Sequence, residues 1–357
     1  MPILWGTHYT PDELRRKTGA MAQIAGIYLS ELSEGKARGL RTAEVHTGSG
    51  FRFQVFLDRA LDIGAAEFGG IPIAWLSPSL SAPEFYDPQG TAWDRTWGGG
   101  WMSTCGLTHF GQPEIDQGEQ LGTHGRIAHL RAEKTWVREE WVDDDYLLQL
   151  GGQTRQMAPF AEHLLLTRTI TTKLGSSSLL VEDVVTNEGF RPTPHMLLYH
   201  CNFGFPVVSP DSELLLNCES TRPRDAAAAA GSGQERRFEE PDPDYPEQVF
   251  FHLPKTGVDG LVRAAIVNRT LNFGAFVRYR AAELPRFAEW KMMGAGDYVV
   301  ALEPANQWET PRSQLREEGK LRYLAPGESV HYRLELGVLS GADAIAKFES
   351  DMTAFAE

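Results

Sequence analysis

Phe51-Arg52-Phe53-Gln54-Val55-Phe56-Leu57-Asp58 is the stretch whose reading decides the fold. Phe51, Phe53, Val55 and Leu57 alternate with Arg52, Gln54, Phe56 and Asp58, the pattern of a strand with one face buried. Runs of the same character, rich in β-branched and aromatic residues, recur at 163–172, 178–186, 195–203, 261–268, 272–280, 297–303 and 329–338. Gly, Pro, Asn or Ser separates most of them. Helical candidates are few: Pro11–Lys17, and a segment near 341–350. Neither supplies the crossovers of a parallel sheet, so the sequence predicts an all-β, antiparallel protein with few short helices.

Two stretches interrupt the pattern. The first, about 78–126, carries Trp93, Trp97, Trp101 and the Gly98-Gly99-Gly100 triplet, and reads as a long aromatic, glycine-rich binding loop. The second, about 220–248, runs from Ala226–Ala230 through Gly231-Ser232-Gly233 to Pro241-Asp242-Pro243-Asp244-Tyr245-Pro246, and reads as a surface excursion or partly disordered loop. Strands of one character lie on both sides of it. One continuous sheet system over 1–357, a single domain, is therefore the economical expectation.

The 357 residues include 34 Lys+Arg against 48 Asp+Glu, a formal charge of −14 that repels phosphate backbones and anionic lipid heads. With no Lys/Arg-rich run to concentrate positive charge, neither nucleic acid nor a membrane is an expected partner. Met1-Pro2-Ile3-Leu4-Trp5-Gly6 lacks a basic and apolar leader, and no run of 18 apolar residues occurs, which points to the cytoplasm. Cys105, Cys201 and Cys218 form no CxxC pair and are odd in number, so they read as isolated thiols in a reduced compartment. GxGxxG, GxxxxGK[ST] and GxSxG are all missing, which leaves nucleotide-cradling loops and a nucleophile elbow unsupported.

The segment His195-Met196-Leu197-Leu198-Tyr199-His200-Cys201-Asn202-Phe203-Gly204-Phe205-Pro206 is the most informative for chemistry. Alternation puts Met196, Leu198, His200 and Asn202 on one face. Two polar groups after two apolar ones suit a strand leaving the core for a cleft, where an imidazole exchanges protons near neutral pH. A core histidine bonded to a backbone carbonyl explains the same pattern. In Tyr298-Val299-Val300-Ala301-Leu302-Glu303-Pro304 an apolar strand ends in a carboxylate, either a general base raised by burial or a salt-bridged strand end.

His124 stands in Leu121-Gly122-Thr123-His124-Gly125-Arg126-Ile127, where glycines let the backbone bend tightly and approach a ligand; a turn histidine bonding its own loop is the alternative. His124 and His129 are five apart, unlike the i, i+4 pair of a helical zinc site, so no metal is expected. Arg59, in Asp58-Arg59-Ala60-Leu61-Asp62-Ile63-Gly64, pairs with a neighbouring carboxylate or joins Arg126 and Lys291 in one cleft. There they would hold sugar hydroxyls or an anionic group. Trp97 and Trp101 stack on a pyranose ring or simply fill the core.

Taken in order, the His-Gly loop, the strand ending His200-Cys201-Asn202-Phe203-Gly204, the strand ending Leu302-Glu303-Pro304 and the turn Leu324-Ala325-Pro326-Gly327-Glu328 resemble the aldose 1-epimerase (galactose mutarotase-like) superfamily. More narrowly, the Asp58–Gly64, Leu121–Ile127, Tyr199–Pro206 and Glu303-Pro304-Ala305-Asn306-Gln307 motifs look like an uncharacterised branch of it. The resemblance implies a large antiparallel β-sandwich of the supersandwich type with a monosaccharide in an open cleft, and a reaction that interconverts anomers by opening the ring at C1. It makes Glu303 the base, His200 the acid and His124 a partner at the ring oxygen or a nearby hydroxyl, with no cofactor; Asn202, Arg59, Arg126, Lys291, Trp101 and Thr104 are the expected substrate contacts. A noncatalytic carbohydrate-binding protein, or a sugar lyase or isomerase, is the alternative on the same scaffold. The chain departs from the family in showing His124-Gly125-Arg126 where mutarotases show His-Gly-Gly, and in lacking their Asn-Arg-Ile segment. In that region it has Trp97-Gly98-Gly99-Gly100-Trp101-Met102-Ser103-Thr104-Cys105-Gly106, and Arg126 suggests an anionic or modified sugar.

Overall fold

Phe51, Phe53 and Val55 are fully or almost fully buried while Arg52 is exposed, so the alternation that opens the sequence is realised in the strand Phe51–Phe56. Burying each such side chain contributes about 1.5–3 kcal/mol. The computed structural model describes residues 2–79, 81 and 89–353. Within them three antiparallel sheets dominate. The first has five strands, Gly26–Glu31, Arg41–His46, Phe51–Phe56, Asp62–Phe68 and Ile71–Pro72, in chain order.

The largest sheet has eight strands, ordered Glu133–Val142, Asp145–Met157, His163–Lys173, Ser178–Asn187, Ser329–Ser340, Phe273–Arg280, Leu261–Asn268 and Ser212–Leu216. The C-terminal strand thus pairs into its middle, between Ser178–Asn187 and Phe273–Arg280. The third sheet has six strands, ordered Cys218–Pro223, Gln248–Pro254, Arg286–Met293, Tyr298–Ala305, Met196–Phe203 and Ser103–Leu107. Single bridges, Ile63 with Met102, Ala74 with Phe203 and Leu76 with Gly99, join it to the five-stranded sheet.

One hydrophobic cluster draws from all three sheets, with Phe53, Val55, Leu166, Val181, Tyr199, Phe203, Ile266, Leu302 and Leu334 among its members. It is the interior of a sandwich, and the expected all-β antiparallel class is what the chain adopts. The Met196–Phe203 strand is buried on every residue. Its odd-numbered Tyr199, Cys201 and Phe203 face this main core, and its even-numbered Met196 and Leu198 join a second cluster with Trp93, Trp97, Cys105 and Ala305.

The helix Pro11–Lys17 starts on a capping box in which Thr10 and Glu13 satisfy each other's backbone donors. The C-terminal helix runs Ala342–Thr353, and Ile345, Phe348 and Met352 bury one stripe against Phe276 and Leu339. No helix among the described residues is long and apolar enough to cross a membrane.

Both interruptions hold more structure than their composition suggests. The 220–248 stretch is built into the sheet at its ends by Cys218–Pro223 and Gln248–Pro254, and Asp225 caps the short helix Ala226–Ala230; between them the chain runs through turns and mostly exposed residues. In 78–126, Ser103–Leu107 is a strand and Glu114–Asp116 pairs with Glu119–Leu121; Leu80 and 82–88 lie outside the described residues.

Candidate functional site

On one side of the six-stranded sheet lies a cleft of about 250 Å³ whose walls include Trp93, Trp97, His124, His200, Arg224, Glu247, Trp290, Glu303 and Glu309. Strand parity decides who faces it. Tyr199 and Leu302 belong to the main core, so their neighbours His200 and Glu303 are carried to the other face. There His200 Nε2 lies 3.1 Å from Glu303 Oε1, with both side chains nine-tenths buried or more.

Asn202 sets the protons on His200. Its amide nitrogen donates to the carbonyls of Gly100 and His200, at 2.8 and 3.1 Å, which leaves Oδ1 to accept from His200 Nδ1 at 2.5 Å. With Nδ1 carrying hydrogen, the Nε2 contact to Glu303 needs one proton between the two groups. Burial pushes the Glu303 carboxyl well above the usual carboxylate range, with Glu309 and Glu247 adding to it. Burial also lowers His200 to about 4, against the hydrogen bond to Asn202. Both shifts favour a neutral pair, a carboxylic acid donating to a bare imidazole nitrogen.

His124 reaches the same cleft from its loop, its ring centroid 5.5 Å from that of His200. Its φ of +55° is left-handed, held by backbone bonds from His124 N to Gly111 O and from Gly106 N to His124 O. Gly125 follows because a Cβ there would lie 2.3 Å from Gly106 O and 2.4 Å from His109 O. The Gly111 N–H donates to His124 Nδ1 at 3.4 Å, so Nε2 bears the hydrogen. Burial, then the neighbouring His200, holds His124 far below the ordinary histidine range, so its ring is neutral.

Indoles enclose the pair. Trp97 and Trp290 lie edge-on to His200 with centroids at 5.1 and 5.3 Å, and Trp93 stands 4.9 Å from His124. Trp290 Nε1 donates to Glu247 at 2.9 Å, Arg224 Nη2 to the other oxygen of Glu247 at 2.7 Å, and Arg224 Nη1 lies 3.9 Å from Glu309.

His124, His200 and Glu303 therefore converge from three distant segments, and Asn202 supports His200 from behind. Asn202, whose amide is taken up by His200 and Gly100, and the five other expected substrate contacts are absent from the cleft's lining and are corrected. Trp101 is fully buried in the main core against Phe51. Thr104, on the opposite parity from Ser103 and Cys105, bonds Asp62 and Arg168. Lys291 alternates with cleft-facing Trp290, so its ammonium points away, to Glu239 at 2.8 Å. Arg126 turns back to Glu119 at 3.0 Å and the Gln120 carbonyl. Arg59 is buried where its charge acts on His129 and Asp62.

Arg224, Glu247, Glu309 and Trp290 were not legible as site residues. Arg224 and Glu247 lie inside the irregular 220–248 excursion, and Trp290 lies on a strand whose fully buried face carries Glu289 and Lys291 while Trp290 and Met292 are only half-buried, the reverse of the usual alternation. The pair Trp308-Glu309, six residues beyond Glu303, was the available signal for Glu309. Among the described residues no group of three or more His, Cys, Asp or Glu side chains is arranged to hold a metal.

The fold is that of the galactose mutarotase-like proteins. A provisionally assigned aldose 1-epimerase from Klebsiella pneumoniae matches with a TM-score of 0.86 at 23% identity, covering 91% of this chain and 86% of the other. A galactose mutarotase-like protein from Clostridium acetobutylicum matches at 0.59 and 13%, covering 88% and 99%. The galactose 1-epimerase of Lactobacillus acidophilus matches at 0.58 and 11%, covering 89% and 99%. None of the curated proteins matches the chain. Residues 37–338 match the family described as Domain of unknown function (DUF4432), and the chain belongs to that family.

Proposed function

We propose that the protein is a carbohydrate epimerase that interconverts the anomers of an aldose by opening and reclosing its ring at C1. The observation that carries this is the buried His200–Glu303 contact of 3.1 Å in a cleft that His124 also lines, which sets an acid and a base side by side. A galactose 1-epimerase shares the fold.

Ring opening asks for two proton transfers on one hemiacetal: removal from the C1 hydroxyl and delivery to the ring oxygen. Moving the shared proton onto His200 Nε2 leaves Glu303 as carboxylate. Glu303 then takes the C1 hydroxyl proton while His200 protonates the ring oxygen, the C1–ring oxygen bond breaks and the aldehyde forms. The pair again holds one proton, now on Glu303. Rotation about C1–C2 presents the other carbonyl face, and the same steps in reverse close the ring. His124 Nε2–H donates to the ring oxygen or a neighbouring hydroxyl throughout. Each proton transfer contributes about 10²- to 10⁴-fold.

Magnetisation-exchange NMR on a panel of aldoses tests this. Faster exchange between anomeric signals of at least one aldose is expected. If no aldose exchanges faster while sugars still bind, the protein is a binding module; an unsaturated or keto product would make it a lyase or isomerase.

A further inference from the structure

We infer that the cleft selects a sugar bearing a protonated amine over one bearing a carboxylate, sulfonate or phosphate, with the ammonium seated among Asp94, Glu247 and Glu309. The inference rests on the reading of the cleft as a sugar site and deepens it. Its basis is the charge of the walls. Besides Glu303, which is neutral in its pair with His200, three carboxyl groups line the cleft, Asp94, Glu247 and Glu309, against one guanidinium among the described residues, that of Arg224.

Arg224 is already committed. Its Nη2 donates to Glu247 at 2.7 Å and its Nε to Asp225 at 3.0 Å, which leaves Glu309 at 3.9 Å. An anionic substituent would have to displace these carboxylates from Arg224 while lying in the field of Asp94 and Glu309. Arg126 and Lys291, the other cations expected here, are engaged by Glu119 and Glu239 outside the lining.

The carboxyl groups act on one another. Burial pushes Glu309 upward, Arg224 pulls it back, and Glu247 and Asp225 push it up again. Burial and then Glu247 raise Asp94 as well. A cation placed among them relieves that repulsion and is held by it.

Tryptophan fluorescence titration at pH 7 and low salt tests the inference without relying on turnover, using glucosamine, galactosamine and mannosamine beside their neutral parents and the matching uronates. In at least one stereochemical series the amine is expected to bind tenfold or more tightly than the uronate and more tightly than the neutral sugar. The gap should narrow with salt and in Glu309→Gln. Asp94 is exposed, so Asp94→Asn gives a second reading of the same gap from a variant that keeps its fold. Uronates binding as tightly as amines, amines binding no better than neutral sugars, no binding by any amine, or an amine preference unchanged in both variants would each overturn it. Amine preference without faster anomer exchange would sink the epimerase alone, and faster exchange without the preference would sink this inference alone.

Discussion

His200 owes its role to two contacts of different kinds, a fixed amide oxygen on Nδ1 and a carboxyl group facing Nε2. Asn202 is thus a positioning residue: without its oxygen the ring loses the bond that fixes its tautomer and orientation. Asn202→Leu is expected to lower kcat for anomer exchange by about 10–100-fold with a small change in KM, read from saturation curves, because proton transfer tolerates little misplacement. A KM-only effect would assign Asn202 to binding instead. The thiols divide as sharply. Burial pushes Cys105 and Cys201 well above the ordinary thiol range. Cys218 is half-buried, with Arg236 Nη2 at 3.1 Å, and is drawn down to about 7, chiefly by hydrogen bonding to His252. Native protein should therefore incorporate one iodoacetamide per chain, with a rate midpoint near pH 7 that disappears in Cys218→Ser.

At the scale of elements, the three sheets are pinned by one guanidinium. Arg168, on the eight-stranded sheet, donates to Asp183 at 2.8 and 2.6 Å on the neighbouring strand, to Asp62 of the five-stranded sheet at 3.1 Å and to Thr104 of the six-stranded sheet at 2.8 Å. Tyr199, next to His200, donates to the same Asp183 at 2.6 Å. Arg168→Met leaves two buried carboxyl groups without their cation and should cost about 3–5 kcal/mol in denaturant unfolding. A loss below about 1 kcal/mol would mean the carboxyl groups re-pair. This network was invisible in the sequence: Arg168 and Asp183 are ordinary polar residues in strands read for their alternation, strand pairing sets them opposite each other, and only the packing of the sheets brings them to Asp62 and Thr104. The strands with one buried face were legible because their period is two. Met196–Phe203 is covered on both faces, and there the motif still gave His200 its side; in Arg286–Met293 the buried face carries Glu289 and Lys291 and the half-buried face Trp290, so alternation pointed the wrong way. His124, His200 and Glu303 were legible as an ordered set of motifs; the acidic wall was not, because it is assembled from a short-helix excursion and a post-strand turn.

The whole molecule carries a set of buried neutral histidines. Burial lowers His129 and His195 to about 3, and His109 and His200 to about 4, from an unfolded value near 6.5. Between those limits these histidines bind more protons in the unfolded chain than in the folded one, so their contribution to stability is lost on acidification from about 6.5 downward, while the buried Glu303, Glu309 and Glu289 carboxyls, raised by burial, contribute with the opposite sign. His252 is shifted the other way, to about 9, but it is coupled to Cys218, whose shift opposes it across the same range. Thermal melts are expected to show Tm falling more from pH 6.5 to 4 in the native protein than in a His195→Gln variant, because the carboxyl contribution is common to both. Equal falls in the two proteins would mean that this imidazole is hydrated. With a net charge of −14 the chain also repels anions at long range, in keeping with the sign of its cleft.

The central claim is that His200 and Glu303 work as one proton-sharing unit on a single hemiacetal, and anomer-exchange rates of Glu303→Gln, His200→Gln and the double variant test it most directly. Each single substitution should lower the rate by about 10²- to 10⁴-fold. The double variant should be no slower than the worse single, because two residues acting as a unit lose their joint contribution once. A Glu303→Gln protein exchanging anomers at the unaltered rate, or losses that multiply in the double variant, would contradict the account.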